Sequence, residues 1–326
     1  MGEFDLIARY FTRPVRRAAL GVGDDCALLA PAPGMQLAVS SDMLVQGRHF
    51  FADVDPERLG HKALAVNLSD LAACGARPLA FTLALSLPRV DEAWLAGFSR
   101  GLLALADGHG CELVGGDTTQ GPLNICITVF GEVPAGQALL RSGARPGDDI
   151  YVSGTLGDAR LALEALQGHI TLPADVLAAA RLRLEQPTPR VALGQALRGV
   201  ASSALDVSDG LLGDLGHILR ASGTGACIDT FIAIDLIAAS ALSISARGQF
   251  DPELFHQCTL AGGDDYELAF TAPVARRAAV AAAALASSTP VTRIGRIEAE
   301  PGLRLVDAQG QPVVQRYASF DHFAAG

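Results

Sequence analysis

The sequence predicts an α+β fold made of two domains, and three observations lead to that prediction. Half of the residues are apolar and only 18% are charged, which is enough apolar material to bury a sizeable core. The length of 326 residues allows two domains at about 150 residues each. Predicted helices and strands come in runs and do not alternate strictly, which favours α+β over a doubly wound parallel sheet.

The first half of the chain contains clear start signals for two helices. Asp55 followed by Pro56 is typical of a helix start, and Asp91 has the character of a second N-cap. The predicted elements are a helix over 5–12, a turn over 21–25, a strand over 36–40 that ends in a polar Ser-Ser-Asp, a helix over 56–74, a strand over 79–87, a helix after Asp91, and strands over 112–114 and 123–133 around a Gly-rich turn at 115–121.

A polar stretch with Gly and Pro, residues 141–149, separates this half from the rest. We place the domain boundary there, with a first domain over 1–147 and a second over 148–326. The second is expected to contain strands over 150–153, 204–207, 227–229, 267–271 and 291–297, a helix from the end of a loop at 154–157 to about 166, and further helices over 174–185, 210–221 and 274–287.

Composition excludes several functions. A net charge of −10 argues against nucleic acid or an anionic membrane surface as a partner. No apolar run is long enough to cross a membrane, the N-terminus lacks the basic region of a signal peptide, and no C-x-x-C pair occurs, so we expect a cytoplasmic protein with reduced thiols. Lys62 is the only lysine, and a P-loop is absent. The function must therefore rest on the aspartates.

Six short segments place aspartate among Gly or Ser after an apolar run. Divalent cations such as Mg²⁺ prefer carboxylate oxygens, glycine lets the backbone approach phosphate, and serine adds neutral donors. Each segment alone is also compatible with a turn or a helix N-cap. The segments are Gly23-Asp24-Asp25, Ser40-Ser41-Asp42, Asn67-Leu68-Ser69-Asp70, Gly115-Gly116-Asp117, Asp206-Val207-Ser208-Asp209 and Gly262-Gly263-Asp264-Asp265.

Asp70 is the most informative of these aspartates. On the predicted helix it shares a face with Ala63, Asn67 and Cys74. A carboxylate and an amide on an apolar face need partners when they are buried. A metal or phosphate-bound water is one such partner, and a hydrogen bond to a neighbouring segment is the other.

Eight motifs in order and spacing resemble the thiamine-monophosphate kinases over essentially the whole chain. Aminoimidazole ribonucleotide synthetases and selenophosphate synthetases share only some of them. The motifs are GVGDDCA (21–27), SSDMLV (40–45), GRHF (47–50), KALAVNLSDLAA (62–73), GGDTT (115–119), SGARPGD (142–148), DVSDGL (206–211) and GGDDYEL (262–268).

The resemblance implies an ATP-binding N-terminal domain that pairs with its copy in a homodimer, and transfer of phosphate from ATP to thiamine phosphate with several Mg²⁺ ions. It implies Mg²⁺ ligands or neighbours at Asp25, Ser40, Ser41, Asp42, Asp70, Asp117, Asp206 and Asp209, of which Asp42, Asp70, Asp117 and Asp206 serve catalysis. It implies ATP contacts at Gly116, Asp117, Arg141 and Ser208, and thiamine phosphate contacts at His49, Asp264 and Tyr317. The family usually has Glu at position 264 and often Trp at position 317.

The residue chemistry fits this reaction. The acceptor phosphate is already ionised at neutral pH, so positioning and charge neutralisation suffice without a general base. His49 is therefore expected to donate a hydrogen bond to phosphate rather than to act as a base, although a solvated loop histidine is the alternative. Arg141 could bind phosphate or be a linker residue, and Tyr317 could stack on thiamine or cover the core.

Three other functions remain open at this point. Another synthetase of the same superfamily would share the aspartates. A selenophosphate synthetase is disfavoured because no reactive Cys/Lys pair lies near the N-terminus, and an aminoimidazole ribonucleotide synthetase is disfavoured by the GRHF and GGDDYE segments. A metal-dependent phosphohydrolase would use the same carboxylates to activate water and would release phosphate without an acceptor. A calcium-binding protein is disfavoured because no EF-hand loop is present.

Overall fold

The computed structural model describes residues 2–237, 252–314 and 317 of the chain. It contains two compact units, which are treated separately below. Unit 1 comprises Met1–Leu71 and Ala76–Ala138, and unit 2 comprises Ala72–Gly75 and Leu139–Gly326. Each unit has its own sheet with helices, which confirms the two-part α+β prediction. The domain limit at 147/148 stays a prediction.

Unit 1 is a four-stranded sheet with two long helices and a short helical N-terminal segment. Helix α1 (Glu3–Leu6) continues into a π-helical turn (Ile7–Phe11). The other elements are β1 (Met35–Val45), α2 (Pro56–Ala73), β2 (Arg77–Leu87), α3 (Glu92–His109), β3 (Glu112–Gln120) and β4 (Asn124–Pro134). The strand order is β1-β4-β2-β3, in which only β2 and β3 are parallel.

The two long helices begin where the sequence predicts. The Asp55 carboxylate accepts from the backbone N–H groups of Glu57 and Arg58, and the Asp91 carboxylate accepts from those of Ala93 and Trp94. These side chains satisfy donors that have no partner within the first helical turn.

Two strands are longer than predicted. β1 runs to Val45, so the Ser-Ser-Asp segment lies within the strand and not after it. β3 runs to Gln120, so the Gly-rich turn predicted at 115–121 is wrong for most of its length. The reason is pairing, because β1 is paired with β4 over its whole length and β3 with β2 from Ala80↔Glu112 to Leu87↔Gln120. Ladder hydrogen bonds thus outweigh the low strand preference of glycine.

Unit 2 is a seven-stranded sheet with helices, and its strand order is β11-β10-β7-β9-β5-β8-β6. Its strands are β5 (Asp149–Ser153), β6 (Ser203–Val207), β7 (Gly225–Asp229), β8 (Glu267–Ala272), β9 (Val291–Glu298), β10 (Gly302–Val306) and β11 (Pro312–Val313). Its helices are α4 (Asp158–Leu166), α5 (Ala174–Glu185), α6 (Val191–Ala196), α7 (Leu211–Ser222), α8 (Thr230–Ile234), α9 (Pro252–Ala261) and α10 (Arg277–Ala286), the last preceded by a 3₁₀ turn (Val274–Arg276).

The predicted strands and helices of this unit are all present, and the sequence missed α6, α8, α9, β10 and β11. Among the described residues, no helix is long and apolar enough to cross a bilayer. None of the six cysteines, all in described segments, forms a disulfide. Cys26 and Cys74 are exposed, whereas Cys111 and Cys258 are buried, and burial raises the pKa of each buried thiol to about 12.

Candidate active site

The first polar cluster of unit 1 lies between β1 and α2 and consists of Ser40, Asp42, Asn67 and Asp70. Asn67 is only 1% exposed. Its Oδ1 accepts from the backbone N–H of Asp42 at 3.1 Å, and its Nδ2 donates to the Ala63 carbonyl at 3.0 Å. The Ser40 hydroxyl donates to the Asp70 carboxylate. The polar helix face therefore finds its partners on strand β1, and α2 is held in register with the Ser-Ser-Asp segment.

Ser41 is not part of this cluster. Successive side chains of a strand point to opposite faces, which separates Ser41 from Ser40 and Asp42. The Ser41 hydroxyl lies 3.0 Å from that of Thr128 and donates to the Ile127 carbonyl at 3.2 Å, both on β4. Its role near a metal stays a prediction.

His49 lies in the tight turn that follows β1. Its Nδ1 accepts from the backbone N–H of Val45 at 3.0 Å. A neutral imidazole that accepts at Nδ1 carries its proton on Nε2, so Nε2 is a donor. This geometry favours the predicted hydrogen-bond donor over a general base.

The second polar region of unit 1 surrounds a cavity of about 700 Å³, here called the β3 cavity. Three predicted site residues line it, together with the apolar N-terminal segment, which the sequence had identified only as a short helix. The lining includes Phe4, Ile7, Phe11, Asp25, Gly116 and Asp117. Gly116 has a φ of 149°, and a Cβ there would lie 1.8 Å from the Leu83 carbonyl oxygen. Only glycine therefore lets β3 follow β2 so closely at the cavity wall.

The sheet keeps these two regions apart. Asp42 pairs with Ile127, Ile127 with Leu83, and Leu83 with Gly116, so the two regions lie three strands apart, or about 14 Å. Within the described ranges, no three His, Cys, Asp or Glu side chains form a ready metal site. Mg²⁺ commonly takes one or two carboxylates together with water and substrate phosphates, and the hydroxyl and carboxylate oxygens of the β1–α2 cluster fit that pattern.

In unit 2, the candidate residues Ser208, Asp209 and Asp264 come together on two interlocked loops, residues 207–210 and 262–266, here called the paired loops, and Asp206 lies just before the first loop in β6. The backbone N–H of Asp264 donates to the Ser208 carbonyl, and that of Tyr266 donates to the Val207 carbonyl, both at 2.8 Å. Asp264 and Tyr266 have positive φ angles of 61° and 51°. Such angles are uncommon for residues other than glycine and indicate a tightly constrained loop.

The loop over 207–210 has a further anchor in Asp214 of α7. The Asp214 Oδ2 accepts from the backbone N–H groups of Ser208, Asp209 and Gly210 at 3.0, 3.0 and 3.1 Å. Burial raises the pKa of the Asp214 carboxyl to about 6, although the three N–H donors act in the opposite direction. The sequence analysis missed this residue, and the only signal was an aspartate in the first turn of a predicted helix.

Two more predicted residues of unit 2 have clear surroundings. Arg141 is exposed, and its charge acts on His217 of α7: burial lowers the pKa of His217, the charges of Arg220 and then Arg141 lower it further, and that of Asp209 raises it. Tyr317 is 8% exposed within the core, and its hydroxyl donates to Glu253 at 3.2 Å. That position matches a tyrosine that covers the core, and stacking on thiamine stays a prediction.

Comparison with models of known protein families identifies the two domains of this chain. The model described as "AIR synthase related protein, N-terminal domain" matches residues 23–133, and the corresponding C-terminal domain model matches residues 145–308. The chain thus has the two domains of the AIR synthase related proteins.

Comparison with individual proteins shows which family within the AIR synthase related proteins this chain resembles. The thiamine-monophosphate kinase of Salmonella typhimurium is 48% identical over 99% of this chain and 98% of its own length. The crystal structure of thiamine-monophosphate kinase from Stenotrophomonas maltophilia superposes with a TM-score of 0.82 at 45% identity, covering 95% of this chain and 96% of that one. AaThiL complexed with AMPPCP and TMP has a TM-score of 0.76 at 29% identity and covers 90% and 89%. The chain belongs to the thiamine-monophosphate kinase family.

We expect Gly263→Ala to lower the free energy of unfolding more than Gly168→Ala does. Both glycines have similar positive φ angles, 77° and 79°, so both variants lose about 1 kcal/mol from backbone strain. A Cβ at position 263 would also lie 2.7 Å from the Ser208 carbonyl oxygen, whereas position 168 has open space. The added contact should cost about 1–3 kcal/mol in denaturant unfolding. Equal losses in the two variants would contradict the interlocking of the paired loops.

Proposed function

We propose that this chain transfers the γ-phosphoryl group of ATP to thiamine phosphate, giving ADP and thiamine diphosphate, in the cytoplasm. The observation that carries the proposal is the 48% identity to a thiamine-monophosphate kinase over nearly the full length of both chains. The similar AaThiL, solved with AMPPCP and TMP, supports the same pair of substrates. The aspartate segments of both units supply the chemistry.

The β3 cavity is the proposed site for part of the nucleotide. Gly116 and Asp117 lie at its polar wall, and Phe4 and Ile7 offer an apolar wall against which a purine base can pack. The only lysine, Lys62, is 3% exposed within α2 and lies outside this lining. Phosphate charge must therefore be met by backbone N–H groups, arginine and Mg²⁺.

Metal ligands are proposed on both units. In unit 1 they are the β1–α2 cluster with Asp42 and Asp70, Ser41 on the opposite face of β1, and Asp25 and Asp117 at the β3 cavity. In unit 2 they are Asp206, at the end of β6, and Asp209 on the paired loops. When bound there, Mg²⁺ would neutralise phosphate charge.

The remaining groups orient the substrates. Arg141 and Ser208 are proposed to contact ATP, and Asp264 and Tyr317 to contact thiamine phosphate. His49 is proposed to donate from Nε2 to the acceptor phosphate, since Nδ1 is occupied by the Val45 N–H. The acceptor oxygen is already anionic, so no side chain needs to remove a proton before attack, and the chain acts by positioning.

Asp70→Asn should reduce the formation of thiamine diphosphate by about 100-fold or more. The change keeps the shape and an acceptor oxygen for the Ser40 hydroxyl but removes the negative charge that a metal requires. The assay mixes enzyme, ATP, Mg²⁺ and thiamine phosphate and quantifies thiamine diphosphate. Asp42→Asn should behave alike, whereas Asp107→Asn, on the exposed surface beside Arg13, is the matched control and should stay active.

Near-normal turnover by folded Asp70→Asn at saturating Mg²⁺ would refute the metal role of this cluster. Phosphate release from ATP without any thiamine diphosphate in the wild type would instead favour a phosphohydrolase.

Transfer should be direct, without a phosphorylated enzyme, because the acceptor already carries the nucleophilic oxygen. Incubation with γ-labelled ATP and Mg²⁺ without acceptor, followed by denaturation, should leave no label on the protein. Covalent label that is chased into thiamine diphosphate would refute direct transfer. Separately, ATP binding should fall steeply in EDTA, and binding that is indifferent to EDTA would refute phosphate binding through metal.

We also propose a symmetric homodimer formed through the sheet of unit 1. β1 is an edge strand, and Leu37, Val39 and Met43 on it are 43%, 56% and 51% exposed. Neighbouring apolar side chains on an open sheet edge favour association with another sheet. Within the sheet of unit 1, the exposed large apolar side chains all lie on β1.

Sedimentation should therefore show a dimer at micromolar concentration, and Val39→Lys should shift it toward monomer by placing a charge on this face. Leu285→Lys, at an 83% exposed residue of α10 in unit 2, is the control and should stay dimeric. A wild type that sediments only as monomer would contradict the proposal.

A further inference from the structure

The loop that carries Ser208 and Asp209 is held by a single buried carboxylate. Asp214 is 6% exposed, and one of its oxygens, Oδ2, accepts from three consecutive backbone N–H groups at 3.0–3.1 Å. These are the N–H groups of residues 208–210, between the end of β6 and the start of α7. Three donors that converge on one atom fix the path of the loop more tightly than a single bond would.

The same carboxylate acts on the second loop through Ser208. The Ser208 carbonyl accepts from the backbone N–H of Asp264, so the position of Asp264 depends on that of Ser208. Gly210 contributes close packing, because a Cβ there would lie 2.8 Å from the Ala261 carbonyl carbon. Ser208 is half-buried and Asp209 exposed, while the anchor beneath them is buried.

We propose that Asp214 is a positioning residue, which sets the affinity for Mg²⁺–nucleotide by orienting Ser208 and Asp209; this inference rests on the transfer reaction proposed above. Asp214 acts through the loop and has no contact with substrate of its own. An ionised carboxylate suits the task because hydrogen bonds to it are about twice as strong as those to a neutral acceptor. Groups that orient metal ligands in this way typically change metal affinity or activity by about 10–100-fold when they are removed.

The test compares Asp214→Ala and Asp214→Asn with Asp229→Ala. Asp229 also accepts from two backbone N–H groups, those of Phe231 and Ile232, but it lies at the start of α8 and makes neither of these bonds to the paired loops. For each folded variant, KM for ATP at saturating Mg²⁺, KM for thiamine phosphate, kcat and the half-saturating Mg²⁺ concentration are measured. Calorimetric binding of Mg²⁺–AMPPCP adds a readout that needs no turnover.

We expect Asp214→Ala to raise KM for ATP, the half-saturating Mg²⁺ concentration and the AMPPCP dissociation constant by about tenfold or more. Asp214→Asn should raise them by about threefold, because its amide oxygen can accept the same N–H groups without the charge. Asp229→Ala should lower the unfolding midpoint and leave these three constants unchanged.

The inference would be overturned if folded Asp214→Ala bound ATP, Mg²⁺ and AMPPCP as tightly as the wild type does. It would also be overturned if the variant differed from the wild type only in kcat or in the amount of folded protein. If Asp214→Ala does not fold, Asp214→Asn decides, and an unchanged AMPPCP affinity in that variant would overturn it equally. A wild type that binds Mg²⁺–AMPPCP but makes no thiamine diphosphate would refute the proposed reaction, while the binding constants would still test Asp214.

Discussion

Repulsion between two phosphate groups is the constraint on which the arrangement of this molecule depends. At 4 Å, two unit charges repel by about 4 kcal/mol at an effective dielectric constant of 20, and each phosphate carries more than one charge. A chain with a net charge of −10 cannot offset this with its overall field. Carboxylates can serve in such a site by holding cations, and this is the role proposed above for the aspartates that both units present.

Four arginines of unit 2 are held in ion pairs with carboxylates of the fold. The Glu267 carboxylate is fully buried and binds Arg190 through both oxygens at 2.5 and 2.6 Å, and Arg183 at 2.6 Å. Asp149 binds two further arginines, Arg277 and Arg293. The pKa of the Asp149 carboxyl is lowered to about 2, and the hydrogen bond from Arg277 is the largest cause. Removing one partner from the buried Glu267 pairs is strongly destabilising, so Arg183 and Arg190 serve the fold and are not free to move to phosphate.

Local signals in the sequence predicted the two long helices of unit 1, whereas the lengths of strands depended on pairing partners that the sequence alone does not show. Asp55 and Asp91 cap their helices as predicted, because capping depends on residues only two or three positions away. The lengths of β1 and β3 depend on β4 and β2, which are distant in sequence. A Gly-rich segment that looks like a turn therefore becomes a strand once a neighbour supplies its hydrogen bonds.

The candidate site also contains features that local sequence signals predicted and features that they could not predict. The polar face of α2 predicted that Asn67 and Asp70 need partners, and the structure supplies them from Asp42 and Ser40. The β3 cavity could not be predicted in this way, because the apolar pattern of the N-terminal segment shows a helix but not what the helix covers. The role of Asp214 could not be predicted for a related reason. An aspartate in a first helical turn is common, and only the structure shows that three backbone N–H groups donate to this one.

The family resemblance implies glutamate at position 264, and the backbone conformation at this position explains why aspartate fits there. Its φ of 61° lies in the left-handed region, which aspartate and asparagine enter more readily than residues with longer side chains. The shorter acid also stays within 3.3 Å of the Tyr266 hydroxyl two residues later. Aspartate thus reduces the backbone strain of a loop that packs against Ser208, but its side chain is one methylene shorter than that of glutamate. Any substrate contact of this carboxylate must therefore form closer to the paired loops than a glutamate would require.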